Sequence, residues 1–466
     1  MSEPTAAVPI VIDRQSAVPL AVQLADILRR AATEGRLRAD DRLPSTRMLA
    51  RRLSVSRTVT AAAYEQLHAE GWIAGKHGSG TYVTTTPPGG RTVGAQREMP
   101  ERSARPEPVD LAPGATWIAG IDRAAWRRAW RAAADAPPLP RPAPGGLAEY
   151  REVVAEHLLR HRGLTVGVDG RSVEDTVLAT AGTTAAVSEL AVAVLRPGDT
   201  VAVEEPGYQR AVQVLRAAGL RVLPAPVDAE GLLVHRIPAG VRAVYCTPAH
   251  QYPLGGRMVA ARRVDLVRRA RVDGFLLIED DYDGELRYDA APLPLLAALA
   301  PDVVVVHLGT TSKTFTPTLG AGWMVAPPPV ASSVLAHRER GTSPSPAGQR
   351  VLVELARHGD LGRHLRKVRR ELSARRDLVV NTLRAAEIPT LGDDAGAHVV
   401  LPLPSPAQER RVIAEACRCN LRLAGLARDH AGRPSWHGIA LGYTGCGRDH
   451  LAAALDVLVE LIRAAD

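Results

Sequence analysis

The apolar positions of the chain follow two different rhythms. Near the start, Leu20, Leu24, Ile27 and Leu28 recur at i, i+4, i+7 and i+8, which predicts a first helix with a single apolar stripe. Leu43-Pro44-Ser45 opens a second helix, with Ser45 as its N-cap and Leu49 and Leu53 on its inner face. After the short turn Ser54-Val55-Ser56, Ser56 caps a third helix running from Arg57 to about Glu70, where Gly71 ends it. Val59, Ala63 and Leu67 are expected to face inward, leaving Arg57, Thr58 and Thr60 outward at its start. Two short β-runs follow, Trp72-Ile73-Ala74 and Thr81-Tyr82-Val83. Beyond Asp110 the rhythm changes to β-rich apolar runs alternating with helical stretches, as an α/β sheet requires.

The segment Thr84 to Asp110 separates these regimes. It holds five prolines, several glycines and scarcely an apolar residue, so it cannot bury enough surface to fold and reads as a linker. The expected organisation is a small helical domain over 9–84, a flexible linker over 85–109 and a large α/β domain over 110–466. No internal repeat recurs at a fixed period.

Composition narrows the function. With 466 residues and 46% apolar content, the chain has material for more than one core. Its 58 basic against 50 acidic residues suit a polyanionic partner such as nucleic acid. Nearly all the basic residues are arginine, and the only lysines are Lys76, Lys313 and Lys367. Cys246, Cys417, Cys419 and Cys446 form no CxxC pair, which argues against zinc and against a disulfide framework. No signal-like start and no run of about 18 apolar residues occurs, so a cytoplasmic protein without membrane insertion is expected.

Two helices joined by so short a turn, the second opening with Ser56, Arg57 and Thr58, suit a recognition helix in the major groove. The loop Gly75-Lys76-His77-Gly78-Ser79-Gly80 is a basic hairpin tip whose glycines let backbone approach phosphate, as in a wing. A small helical domain for protein contacts is the alternative.

In the large domain, four segments at the ends of apolar runs carry chemistry. Thr180-Ala181-Gly182-Thr183-Thr184 precedes a helix expected over Ala185 to Leu195 and offers free N–H groups and hydroxyls to an anion, or simply caps the helix. Glu205-Pro206-Gly207-Tyr208 places a tyrosine that either stacks on a flat ring or fills the core. The buried strand Phe275 to Ile278 runs into Glu279-Asp280-Asp281-Tyr282-Asp283, acids at the strand end where ligands of α/β sheets bind. Such an acid can keep a pyridinium nitrogen protonated. The run Val303 to Leu308 leads to Gly309-Thr310-Thr311-Ser312-Lys313, and a lysine there can form a Schiff base if its amine is partly deprotonated. Arginine cannot do this, so a lysine kept in an arginine-rich chain favours the chemical role over a solvated surface one.

The string LPSTRMLARRLSVSRTVTAAAYEQLHAEGWIAGKHGSGTYV resembles the GntR-type winged helix-turn-helix. PGGLAEYREVVAEHLLRHRGL, ATAGTTAAVSELAVAVLRPGDTVAVEEPGY, YCTPAHQYPLGG, IEDDYDGELRYD and GTTSKTFTPTLGAGWMVAP resemble the fold type I aminotransferases. The pairing resembles the MocR family of regulators, with its GabR-like and PdxR-like members. That likeness implies a mostly parallel sheet with large and small subdomains, a homodimer, and double-stranded operator DNA as partner. It implies DNA contacts at Arg47, Ser56, Arg57, Thr58, Lys76, His77 and Gly78. It implies that pyridoxal 5'-phosphate is held covalently by Lys313, with Asp280 at the pyridine nitrogen, Tyr282 at the ring hydroxyl and Tyr208 stacked on the ring. Gly182, Thr183, Thr184 and Ser312 would hold the phosphate, and His250 and Gln251 would lie in a loop lining the pocket.

Two positions depart from the family. Where it places an arginine on the phosphate, seven residues past the lysine, this chain has Gly320; where it places one for a substrate carboxylate, this chain has Ala440. The first loss is expected to weaken cofactor retention and the second to make transamination of ordinary α-amino acids poor. Arg210 either receives a more distant acid group or is a surface arginine. The expected function is a regulator sensing pyridoxal phosphate, or an amine or amino acid reacting with it, with at most weak or partial transaminase activity. The alternatives are an aminotransferase with an appended DNA-binding domain, and a regulator whose large domain only dimerises.

Overall fold

The computed structural model describes residues 9–76, 80–84, 107–166, 172–289, 293–299, 303–341 and 343–465. They fall into two units, one within residues 1–105 and the other within 106–466.

The first unit is built from α1 (Leu20–Thr33), β1 (Arg42–Leu43), α2 (Thr46–Leu53), α3 (Arg57–Ala69), β2 (Ile73–Lys76) and β3 (Gly80–Val83). Leu24, Leu28, Leu49, Ala63, Leu67 and Ile73 meet in its core. Ser45 and Ser56 cap their helices by accepting the N–H groups of Met48 (3.2 Å) and Val59 (3.3 Å). Between α2 and α3, Ser54 adopts a left-handed conformation (φ 53°) that turns the chain sharply.

One expectation needs correction here. Thr60 does not face outward. It is fully buried, on one stripe with Ala63, Tyr64 and Leu67, and its hydroxyl donates to the carbonyls of Thr46 (2.9 Å) and Arg57 (3.0 Å). A threonine satisfies its hydroxyl on helix backbone and buries its methyl, so its position on the stripe outweighs its polarity. With the Tyr64 hydroxyl on Pro44 O (2.8 Å), it ties α3 to the start of α2. The strand β1, too short for any periodicity to show, pairs with β3 and completes the order β1-β3-β2.

The second unit begins at β4 (Val109–Asp110), which pairs in parallel with β14 (Leu421–Arg422). Val109 and Asp110 are therefore not part of a structureless segment. The averaged composition hid a β-branched residue whose partner lies more than three hundred positions away. An eight-stranded sheet is formed by β5 (Val177–Thr180), β6 (Thr200–Glu205), β7 (Arg221–Asp228), β8 (Gly231–Leu232), β9 (Ala243–Cys246), β10 (Leu276–Asp281), β11 (Val305–Thr310) and β12 (Gly322–Val325), in the order β5-β12-β11-β10-β9-β6-β7-β8. Its central strands from β7 to β11 are parallel, and β12, β5 and β8 join antiparallel. In β10, Leu276 and Ile278 enter the core on one face and Leu277 the core on the other, which is why the strand reads as a continuous apolar run. A smaller sheet contains β13 (His398–Pro402), β15 (Ala424–Gly425) and β16 (Gly438–Gly442), in the order β13-β16-β15. The unit is thus an α/β domain with a large, mostly parallel sheet.

The helix after β5 spans Thr183–Ala193, two residues earlier than expected. Gly182, at φ +127°, is its N-cap, so both threonines lie in the first turn. Among the described residues, no helix is long and apolar enough to cross a membrane.

Candidate functional site

The parallel strands β10 and β11 lie side by side with Asp280 opposite Leu308, and both end on the same side of the sheet. There the chain opens a cavity of about 720 Å³, a size that suits a small-molecule ligand. Its wall includes Gly182, Thr183, Thr184, Tyr208, Arg210, Asp280, Tyr282, Ser312 and Lys313, so these residues, distant in sequence, are brought together.

At one end stands the helix Thr183–Ala193. Its first internal bond is from Ala186 N–H to Gly182 O (3.0 Å), leaving the N–H groups of Thr183, Thr184 and Ala185 without a helical acceptor. The hydroxyls of Thr310 and Ser312 meet at 2.8 Å beside it. Gly182 itself faces Thr310 and Ser312, and its positive φ excludes a side chain. Free N–H groups, hydroxyls and the helix dipole make an anion site of the kind that takes a phosphate.

Asp280 and Lys313 set the electrostatics. The Asp280 carboxyl is buried; one oxygen accepts from the Tyr245 hydroxyl, and Oδ1 has no hydrogen-bond partner among the described residues. Burial pushes its pKa up to about 7, offset in part by the Tyr245 hydroxyl and the Lys313 charge. Lys313, half-buried, donates from Nζ to Gly114 O (2.9 Å). Burial lowers its pKa and the Arg210 charge adds to that, while Asp283 and Asp280 pull the other way. A depressed lysine is the form that attacks a carbonyl. Across the cavity, the Tyr208 hydroxyl meets Thr184 Oγ1 at 2.9 Å, and its ring lies edge-to-face with Tyr252.

His250 and Gln251 were expected in the wall and are not there. His250 is turned away, its Nδ1 at 2.9 Å from Asp283 and 3.0 Å from the Tyr282 hydroxyl. Gln251 donates to Pro206 O (3.0 Å) and Tyr252 O, holding the loop rather than a ligand. Burial of both side chains favours these internal partners over the cavity. Ala440 is buried mid-strand in β16 and stands outside the cavity wall, as does Gly320.

Sequence reasoning passed over Asp283, Tyr245, Tyr252 and Arg428, all in the wall. Asp283 stood inside the acidic run and was open to notice. Arg428, which donates toward the Tyr252 hydroxyl (3.5 Å), sits in no local pattern.

In the first unit, Arg47, Ser56, Arg57 and Thr58 are all exposed, the last three at the start of α3. Lys76 closes β2, while His77 and Gly78 lie outside the described residues.

Comparison with known proteins agrees with both halves. The family described as "Bacterial regulatory proteins, gntR family" matches residues 20–83, and "Aminotransferase class I and II" matches 124–428. The chain is 35% identical to the HTH-type pyridoxine biosynthesis transcriptional regulator PdxR of Corynebacterium glutamicum, over 95% of this chain and 96% of that one. It is 30% identical to the probable rhizopine catabolism regulatory protein MocR of Rhizobium meliloti, over 94% and 92%. Kynurenine aminotransferase of Pyrococcus horikoshii superposes with a TM-score of 0.68 at 24% identity, covering 77% of this chain and 91% of that one. An archaeal alanine:glyoxylate aminotransferase does so at 0.71 and 23%, with the same coverage. These two likenesses concern the fold.

Two outcomes follow from the geometry. Arg57→Ala weakens operator binding by roughly 1–3 kcal/mol if the side chain reads a base edge, measured by titration at fixed salt. Loss of the same size on unrelated DNA would make it a phosphate contact instead. The second concerns Asp280 in the cofactor-free protein. Its folded pKa lies above the unfolded value of 3.8. As pH rises, the unfolded chain therefore loses this proton first, and the folded state loses stability until about pH 7. Asp280→Asn removes that loss, so the variant unfolds at a higher temperature than wild type at pH 8, and the gap closes toward pH 4. An equal gap at both pH values would contradict the assignment.

Proposed function

The chain belongs to the MocR family of transcription regulators, DNA-binding proteins with a GntR-type helix-turn-helix and an aminotransferase class I and II domain, and on that premise we propose that it senses pyridoxal phosphate through the cavity around Lys313. The observation that carries this reading is the placement of Lys313, an acid with one unpartnered oxygen at Asp280, and an anion-binding helix start in one cavity wall. These residues fit the cofactor of the aminotransferase class I and II fold. When bound, pyridoxal phosphate supplies an aldehyde for an amine and a ring that withdraws electrons.

The residues divide that task. Lys313, whose Nζ donates to Gly114 O, would hold the cofactor covalently through its aldehyde. Asp280 would hold the proton at the ring nitrogen, Tyr282 would face the ring hydroxyl and Tyr208 would cover the ring. Gly182, Thr183, Thr184 and Ser312 would take the phosphate. A phosphate without an arginine at position 320 is held less tightly, so occupancy follows the free cofactor concentration. We read the protein as a cytoplasmic homodimer on operator DNA and not as an enzyme. With alanine at 440, the carboxylate of an α-amino acid finds no cation on β16. The regulator of pyridoxine biosynthesis among its relatives supports the cofactor itself as signal. A second reading is favoured by Arg210, whose place in the cavity wall suits a carboxylate-bearing amine.

Titrating the cofactor-free protein with pyridoxal phosphate is expected to shift operator affinity and build visible absorbance together. Lys313→Ala abolishes both and leaves the fold intact. If the cofactor alone changes nothing and an amino acid shifts both signals, the second reading replaces the first. Gly320→Arg is expected to slow cofactor loss, measured by dialysis, while lowering thermal stability, because position 320 has a left-handed backbone (φ +61°). Unchanged retention would show that another side chain already neutralises the phosphate.

A further inference from the structure

Beside Tyr282, Asp283 of the cavity wall pairs with His250, a buried group to which nothing so far gives a task. His250 and Asp283 are each 2% exposed. His250 Nδ1 stands 2.9 Å from Asp283 Oδ2 and 3.0 Å from the Tyr282 hydroxyl. No other partner of that hydroxyl occurs among the described residues. The ring is held in place from behind. A Cβ on Gly396 would come within 2.0 Å of His250 Cε1, so a glycine there, at φ +76°, leaves room for the ring.

The proton arithmetic of one nitrogen then decides a direction. An ionised carboxylate only accepts, so the contact with Asp283 requires the proton on Nδ1. A protonated Nδ1 has no lone pair left for Tyr282. The tyrosine oxygen receives at most a share of the same N–H, and its own hydrogen is free. Tyr282 lines the cavity, and burial, reinforced by the Asp283 charge, keeps its phenol protonated. We propose that Asp283 is a positioning residue, which through His250 turns the hydroxyl proton of Tyr282 into the cavity as a donor to the ring oxygen of pyridoxal phosphate. The proposal rests on the reading of the cavity given above. A carboxylate that fixes the tautomer and orientation of a histidine, with the wrong tautomer when it is replaced by an amide, is an established arrangement in hydrolases. Here its output is the direction of a neighbouring phenol.

The test uses the full-length protein. In the cofactor-free state, nitrogen-15 spectra of labelled histidine are expected to show His250 with its proton on Nδ1, and Asp283→Asn to move it to Nε2. Titration with pyridoxal phosphate is expected to give a roughly ten- to hundredfold weaker dissociation constant for Asp283→Asn and for Tyr282→Phe, the range for one hydrogen bond to a charged oxygen. The double variant is no weaker than either single one, because both remove the same bond. Wild-type His250 protonated on Nε2, or losses that multiply in the double variant, would overturn the proposal. If Asp283→Asn fails to fold, the wild-type tautomer still decides. Wild-type protein that takes up no cofactor overturns the reading of the cavity instead, and the tautomer continues to report on Asp283 alone.

Discussion

Ionising a carboxyl group away from water is the constraint around which the large domain is arranged. Asp280 sits at the end of β10, between neighbouring parallel strands, with one oxygen on Tyr245 and the other without a hydrogen-bond partner among the described residues. An acid so placed is costly unless a cation or a proton donor arrives. Burial raises its pKa to about 7, well above the usual carboxylate range. A protonated ring nitrogen would be such a donor, so the desolvated acid favours a pyridinium. The half-buried Lys313 is the complement: burial favours its neutral, nucleophilic form. Each group is uncomfortable alone in a way that the same ligand relieves.

Around that pair the chain spends few charges on the phosphate. The helix start and the hydroxyls of Thr183, Thr184, Thr310 and Ser312 offer dipoles, and Gly320, where the resemblance led us to expect an arginine, brings no side chain. A site that binds through dipoles and one reversible covalent bond empties more readily than a saturated one, which suits a sensor better than a catalyst. The described cavity wall also includes two arginines, Arg210 beside Tyr208 and Arg428 beside Tyr252.

What could be read in the sequence divides along the range of the interactions. Caps, turns and strand-end motifs are local, so Ser45, Ser56, Asp280 and Lys313 announce themselves within a few residues. Strand pairings over long distances do not. β1 has two residues, and β4 finds its partner at β14. Thr60 was misjudged because its polarity was weighed before its position on the helical stripe. His250 was placed in the cavity because its loop is there, yet its ring turns to Asp283 and the Tyr282 hydroxyl. Arg428 reaches the site only through the small sheet, and no pattern around it records that.

On the reading proposed here, one lysine in this cavity would join the cofactor and thereby govern DNA binding. Borohydride reduction of the protein loaded with pyridoxal phosphate makes the bond permanent, and peptide mapping then identifies the residue. With three lysines in the chain the outcome is unambiguous. The account predicts the label on Lys313 and operator affinity fixed at the loaded value after dialysis. Label on Lys76 or Lys367, or a reduced protein whose DNA affinity returns to that of the cofactor-free form, would contradict it.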